Sequence, residues 1–166
     1  MQNNPAEHSW PDVREVELFL FREAELADNH EYDGWLALWT HELRYCVPCD
    51  GDEIVPERRI ALIYDDRAQL EERIYRLGTQ HAHSQRPRSR LSRTVSNVVL
   101  RDYDPAQGGT VTARFVLVEV RNDHQEVLAG WTRHVLVRQD GRLKMREKYV
   151  HLMNNVMPMR NMTYIV

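Results

Sequence analysis

Residues 92–101 read SRTVSNVVLR and residues 111–121 read VTARFVLVEVR. In the first, Thr94, Ser96, Val98 and Leu100 interleave with Arg93, Val95, Asn97 and Val99. In the second, Val111, Ala113, Phe115 and Leu117 interleave with Thr112, Arg114, Val116 and Val118. A period of two belongs to an extended strand with two unlike faces, and one face of the first segment is mixed polar. Further along, the loop Asn122-Asp123-His124 leads to a strand marked by Val127, Ala129, Trp131, Val135 and Val137. Asp140-Gly141 then supplies a tight hairpin turn, and 143–152 completes a meander.

Upstream of Arg90 the period is helical. Val13, Val16, Leu20, Ala24 and Ala27 recur every three or four residues behind Asp12 and Glu15, a pair spaced like a capping box. Tyr32, Trp35, Leu36 and Trp39 predict a second, short helix with its aromatic bulk on one side. Leu43 to Val47 predicts an edge-like strand closed by Pro48, followed by a polar loop through Gly51, Asp52 and Pro56. Asp66, with Gln69 at the third helical position, caps a third helix whose stripe is Leu70, Ile74 and Leu77, ending before Gly78. Helices first and long antiparallel strands afterwards predict an α+β fold, a strongly curved, mostly antiparallel sheet wrapped around N-terminal helices to form a cone with an internal cleft. No repeat or low-complexity linker interrupts 1–166, so the sequence predicts a single domain with 1–11 as an N-terminal arm.

The 22 basic and 25 acidic residues leave a formal charge of −3, without the basic excess of a protein that lives on nucleic acid or anionic membrane. No apolar run is long enough to span a membrane, and MQNNPAEHSW has neither the basic start nor the apolar centre of a signal peptide, so a cytoplasmic protein is expected. Arginine outnumbers lysine by 20 to 2. Its planar fork suits ion pairs at interfaces, although a compositional bias of the genome gives the same ratio.

The candidate chemistry is sparse. Cys46-Val-Pro-Cys49 has the spacing of a redox pair or half a zinc site, but it follows an edge-like strand rather than opening a helix. No further ligands stand nearby, so structural or incidental thiols are expected. His81 and His83 alternate and face one way if extended, yet no acidic residue lies between Glu72 and Asp102 to complete an iron-binding triad, which leaves long-range donors such as Asp65; hydrogen bonding, locally or at an interface, is the expected role. The arginines of Arg86-Pro-Arg88-Ser-Arg90-Leu-Ser-Arg93 lack interleaved aromatics and read as partners of carboxylates, within the chain or across a subunit boundary. For acid–base work inside a cone, Tyr32, Tyr45, Asn97 and His134 are the candidates. Phosphate loops, nucleophile elbows and His-Glu-x-x-His motifs are missing from the sequence.

Several strings, in order, resemble the small (beta) subunit of aromatic-ring-hydroxylating dioxygenases, within the cystatin-like, nuclear-transport-factor-2-like cone folds. They are Glu23-Ala-Glu25-Leu26, Tyr32-Asp-x-Trp35-Leu36-x-Leu38, Arg44-Tyr45-x-Val47-Pro48, Ala82-His83, Pro87-x-Ser89-Arg90, Arg93 and Val95-Ser96-Asn97-Val98. The close is Arg146-x-Lys148 and Tyr164-Ile165-Val166. Cys46, Cys49 and the Met-rich segment from Met153 to Met162 depart from the pattern.

The resemblance implies a role more than a chemistry: a non-catalytic subunit that steadies and orients a large (alpha) subunit, three of each in the assembly, with a homotrimer when isolated. The large subunit is implied to carry a Rieske 2Fe-2S cluster and a mononuclear iron. With electrons from NAD(P)H, the complex adds both atoms of O₂ to an arene, giving a cis-dihydrodiol. This chain has no pair of Cys-x-His and Cys-x-x-His motifs for a Rieske centre. No catalytic, cofactor-binding or metal residue is expected in it; His81, His83, Arg88, Arg90 and Arg93 are the interface candidates. The competing readings are a stand-alone cone-fold lyase or isomerase using Tyr45, His83 or His134, and a small-molecule-binding module.

Overall fold

Asp12 opens the first helix from an extended backbone, its carboxylate accepting the Arg14 N–H at 2.7 Å. The structure, a computed structural model, describes residues 12–49, 61–78, 87–104, 107–153 and 163–166. Helix α1 (Val13–Asp28) buries Val16, Leu20, Ala24 and Ala27 as the spacing predicts, together with Leu26 and Glu23, but leaves Val13 exposed in its opening turn. Glu15 does not complete the capping box. It instead grips Arg138 of a distant strand through two 2.9 Å bonds.

Helix α2 is shorter than its aromatic stripe suggests. It spans Tyr32–Leu36, and Trp39 begins strand β1 (Trp39–Pro48). Trp35, Trp39 and Tyr45 still meet edge to face, with centroids 5.3, 5.9 and 6.1 Å apart. Strand β2 (Ala61–Asp65) precedes α3 (Arg67–Gly78), which carries the expected reciprocal cap: Asp66 Oδ1 accepts from Gln69 N at 3.0 Å, and Gln69 Oε1 accepts from Asp66 N at 2.9 Å. The long strands are β3 (Arg90–Asp104), β4 (Gly108–Arg121), β5 (His124–Gln139) and β6 (Arg142–Leu152).

The six strands lie in the order β2-β1-β6-β5-β4-β3, all antiparallel except β1 with β6. The expected edge position of β1 is therefore wrong: Tyr45 sits between Asp65 of β2 and Lys148 of β6. Pro48, which suggested an edge, falls on the strand's last position, at an irregular pairing where a missing N–H costs little. The helices cover one face of the sheet, α1 against β3 and α3 against β1 and β2.

Two strands depart from the expected alternation. In β3, Asn97 adopts φ +52° and the register slips between Ser96 and Val99. Arg93 and Val95 before this bulge, and Val98 and Leu100 after it, are the less exposed positions, so the inward phase shifts by one residue. In β5 the apolar marks do not define the inner face: Val127 is exposed and Val135 buried, whereas the inward row is Leu128, Gly130, Thr132, His134 and Leu136. Gly130 fixes that phase, since a Cβ there would lie 2.0 Å from the His151 carbonyl oxygen. The 1–11 arm, the 51–56 loop and the Met-rich segment beyond Met153 lie outside the described residues.

Candidate functional site

Register brings three polar side chains to the inner face: Tyr45 of β1 opposite Lys148 of β6, and Lys148 opposite His134 of β5. Helix α1 adds Glu23 from above. Lys148 Nζ donates to Glu23 Oε1 at 2.7 Å and to the Val166 oxygen at 3.0 Å, and Trp35 Nε1 donates to the same Glu23 oxygen at 2.6 Å. Tyr45 Oη donates to the Val166 oxygen at 3.0 Å and accepts the Val166 N–H at 3.3 Å. Beside them, Arg93 holds Asp28 through its backbone N–H (2.7 Å) and Nε (2.6 Å), and Nη2 reaches the Ile165 oxygen at 2.8 Å.

Burial sets the electrostatics. Desolvation pushes the Glu23 carboxyl upward, but Lys148, Arg93 and the Lys148 hydrogen bond outweigh it and hold the group at about 2. The Lys148 ammonium is lowered by burial, with Glu23 pulling the other way. His134 is 2% exposed, and both ring nitrogens are without a hydrogen-bond partner among the described residues. Burial and the nearby Lys148 charge depress it to about 3, so it is a neutral imidazole at pH 7. Tyr45 is raised by burial. Glu23, Arg93, Phe115, Thr132, His134 and Val166 share in lining a cavity of about 20 Å³. That holds about one water and falls far short of the few hundred Å³ of a small-molecule site.

An inward carboxylate and an inward imidazole are thus both present, as acid–base catalysis requires, but the carboxylate is committed to Lys148 and Trp35 and there is no room for a substrate. Tyr45 and His134 lie inside, as the sequence suggests. Tyr32 does not join them; its hydroxyl donates to His30 Nδ1 at 2.7 Å while His30 Nε2 donates to the Ser89 carbonyl at 2.9 Å, and burial lifts the phenol to about 12. Asn97 is exposed on its bulge and accepts from Ser96 Oγ.

Of the arginine run, Arg88 and Arg90 are exposed, and Arg88 borders an open groove of about 350 Å³ with Tyr32, Asp33, Ile74 and Tyr75. Arg93 takes the internal alternative, its side chain 4% exposed on Asp28. His81 and His83 lie outside the described residues. Asp65 is held by two bonds from Arg73, 2.6 and 3.1 Å long. Cys46 is buried on the outer face, which lifts its thiol to about 11. Both Cys46 and Cys49 are free thiols. Among the described residues no group of three His, Cys, Asp or Glu is placed to hold a metal ion.

The sequence reading missed Glu23 and Lys148. Both leave a trace: Glu23 interrupts the apolar face between Leu20 and Ala27, and Lys148 shares the phase of Val150 and Leu152.

The family described as ring hydroxylating beta subunit matches residues 22–159, nearly the whole span from the first helix past the last strand. The chain belongs to that family. It is 35% identical over 136 residues to the small oxygenase component of the p-cumate 2,3-dioxygenase system of Pseudomonas putida, covering 81% of this chain and 75% of the relative. It is 28% identical over 150 residues to the benzoate 1,2-dioxygenase beta subunit of Acinetobacter baylyi, covering 86% and 87%. The crystal structure of the benzoate 1,2-dioxygenase beta subunit of Burkholderia mallei superposes with a TM-score of 0.77 at 25% identity, over 95% of this chain and 99% of that one. The α+β cone expected from the element order is thus the fold, and this beta subunit is part of a ring-hydroxylating oxidoreductase.

Proposed function

We propose that this beta subunit is a structural component of the terminal oxygenase of an aromatic-ring-hydroxylating dioxygenase and performs no turnover by itself. The observation that carries this reading is the filled cone: Glu23, Lys148 and Tyr45 are committed to one another and to the Val166 backbone around a space of about 20 Å³. The lyase, isomerase and ligand-carrier alternatives need an open cleft in the same place. In our reading the partner is a large subunit, three with three of this chain, and it is the large subunit that holds the Rieske cluster and mononuclear iron. A homotrimer forms in its absence, and the whole chain acts as one cytoplasmic domain. Among the described residues no helix is long and apolar enough to cross a membrane. The two relatives are named for p-cumate and benzoate, and we place the substrate of the assembled enzyme among such carboxylated arenes.

Arg88 and Arg90 fit a partner-facing edge that begins the long strand Arg93 pins to α1, and we group His81 and His83 with them. Co-expression with the large subunit, followed by sizing and metal analysis, tests the reading. Expected is one complex carrying iron, weakened at least about tenfold by R88E/R90E; two separate species from the wild-type pair would overturn it.

A further inference from the structure

The last described segment sits in the cone in an unusual way. Tyr164, Ile165 and Val166 are 4%, 0% and 2% exposed, yet they join no strand of the sheet. Buried backbone ordinarily finds its partners in a ladder or a helix. Here side chains do the work: the Lys148 ammonium and the Tyr45 hydroxyl converge on the Val166 oxygen, the Arg93 guanidinium takes the Ile165 oxygen, and Tyr45 accepts the Val166 N–H. An ammonium, a phenol and a guanidinium gathered on two successive oxygens, with branched apolar groups packed between them, is how a protein holds a ligand. Next to Val166 the small cavity continues to His134, whose buried ring has no partner among the described residues.

We propose that the cone interior is a ligand site whose resident ligand is the chain's own Tyr164–Val166 segment, and that, once vacated, it takes a short branched apolar molecule bearing a carbonyl or carboxylate oxygen. Lys148, Tyr45 and Arg93 supply the oxygen-binding donors. This assignment does not depend on which partner the subunit has.

A variant ending at Thr163, titrated with the synthetic tripeptide Tyr-Ile-Val and separately with isovalerate, tests the proposal. Trp35 fluorescence and the melting temperature provide the readouts, because Trp35 shares Glu23 with Lys148. The tripeptide should give a saturable fluorescence change and raise Tm by several degrees at about 1 mM, with a smaller response to isovalerate and none from the full chain. A folded variant that answers neither probe, or a full chain that answers equally, overturns it. If the shortened chain does not fold, hydrogen exchange on the full chain decides. The Val166 amide should exchange at least about 100-fold more slowly than in the free tripeptide, and exchange within about tenfold of the free rate overturns the proposal.

Discussion

On the inner face of the sheet, Lys148 and Arg93 have side chains 2% and 4% exposed, and each meets a carboxylate, at 2.7 and 2.6 Å. On the outer face of the same sheet, Arg133 and Arg44 lie over the rings of Tyr149 and Tyr64, 4.3 and 4.4 Å from their centroids, and keep partial access to water. Trp131 stacks on His151 nearby, and Val116 and Val127 stay exposed. The contrast shows where this protein depends on charge pairing. A cation without a counter-ion inside faces a desolvation cost that no rearrangement removes, whereas outside it is rehydrated at little loss.

The sharpest way to break the contrast is Lys148→Met, which strands Glu23 as a buried anion. We expect about 3–5 kcal/mol lost in urea denaturation, much of it recovered when Glu23→Leu is added; a loss below about 1 kcal/mol would erase the distinction between the faces. Arg93→Met comes next. It leaves Asp28 and the Ile165 oxygen without their donor and should cost about 2–3 kcal/mol by the same measurement.

The third effect is in pH. His134 titrates at about 3 in the fold against 6.5 as a free group, so below 6.5 the unfolded chain takes up a proton that the folded one refuses. Glu23, at about 2 against 4.5, adds a second such proton below 4.5. Both make the unfolded state the better proton binder, so the stability these two groups contribute is fully present above about 6.5 and is lost as the solution is acidified. Unfolding midpoints measured from pH 7.5 to 4 should show this decline, and His134→Gln should flatten the branch between 6.5 and 4.5 by one proton. The smallest effect belongs outside: Arg133→Gln should change the stability of the isolated chain by no more than about 1 kcal/mol. A larger loss would mean that the outer stacks hold the fold as strongly as the inner pairs.

How much of this was legible beforehand depends on how local its cause is. The Asp66–Gln69 cap, the Asp140-Gly141 hairpin and the α1 stripe are short-range matters of spacing, and they appear where the sequence puts them. The inward face of β5 was not legible, because the choice is made by strand neighbours: Leu128 lies opposite Leu117, Gly130 opposite Phe115, and a row of Thr and His ends up inside against the apolar rule. The Asn97 bulge hides similarly, since one left-handed residue inverts a pattern that looks continuous on paper. The family was readable from ordered strings, but the interior site was not. Its members, Glu23, Tyr45, His134, Lys148 and Val166, are scattered along the chain and become a group only when β1 and β6 pair.

That pairing also dictates when the protein can become itself. Tyr45 meets Lys148 across about a hundred intervening residues, and β1 bridges the β2 side of the sheet to the rest solely through β6. While the chain is being synthesised, α3 with β1 and β2, and the later β3-β4-β5 meander on which α1 packs, are two half-products that the described sheet joins through β6. Among the described strands the two share no ladder until β6 emerges, so closing the sheet is a late step in synthesis.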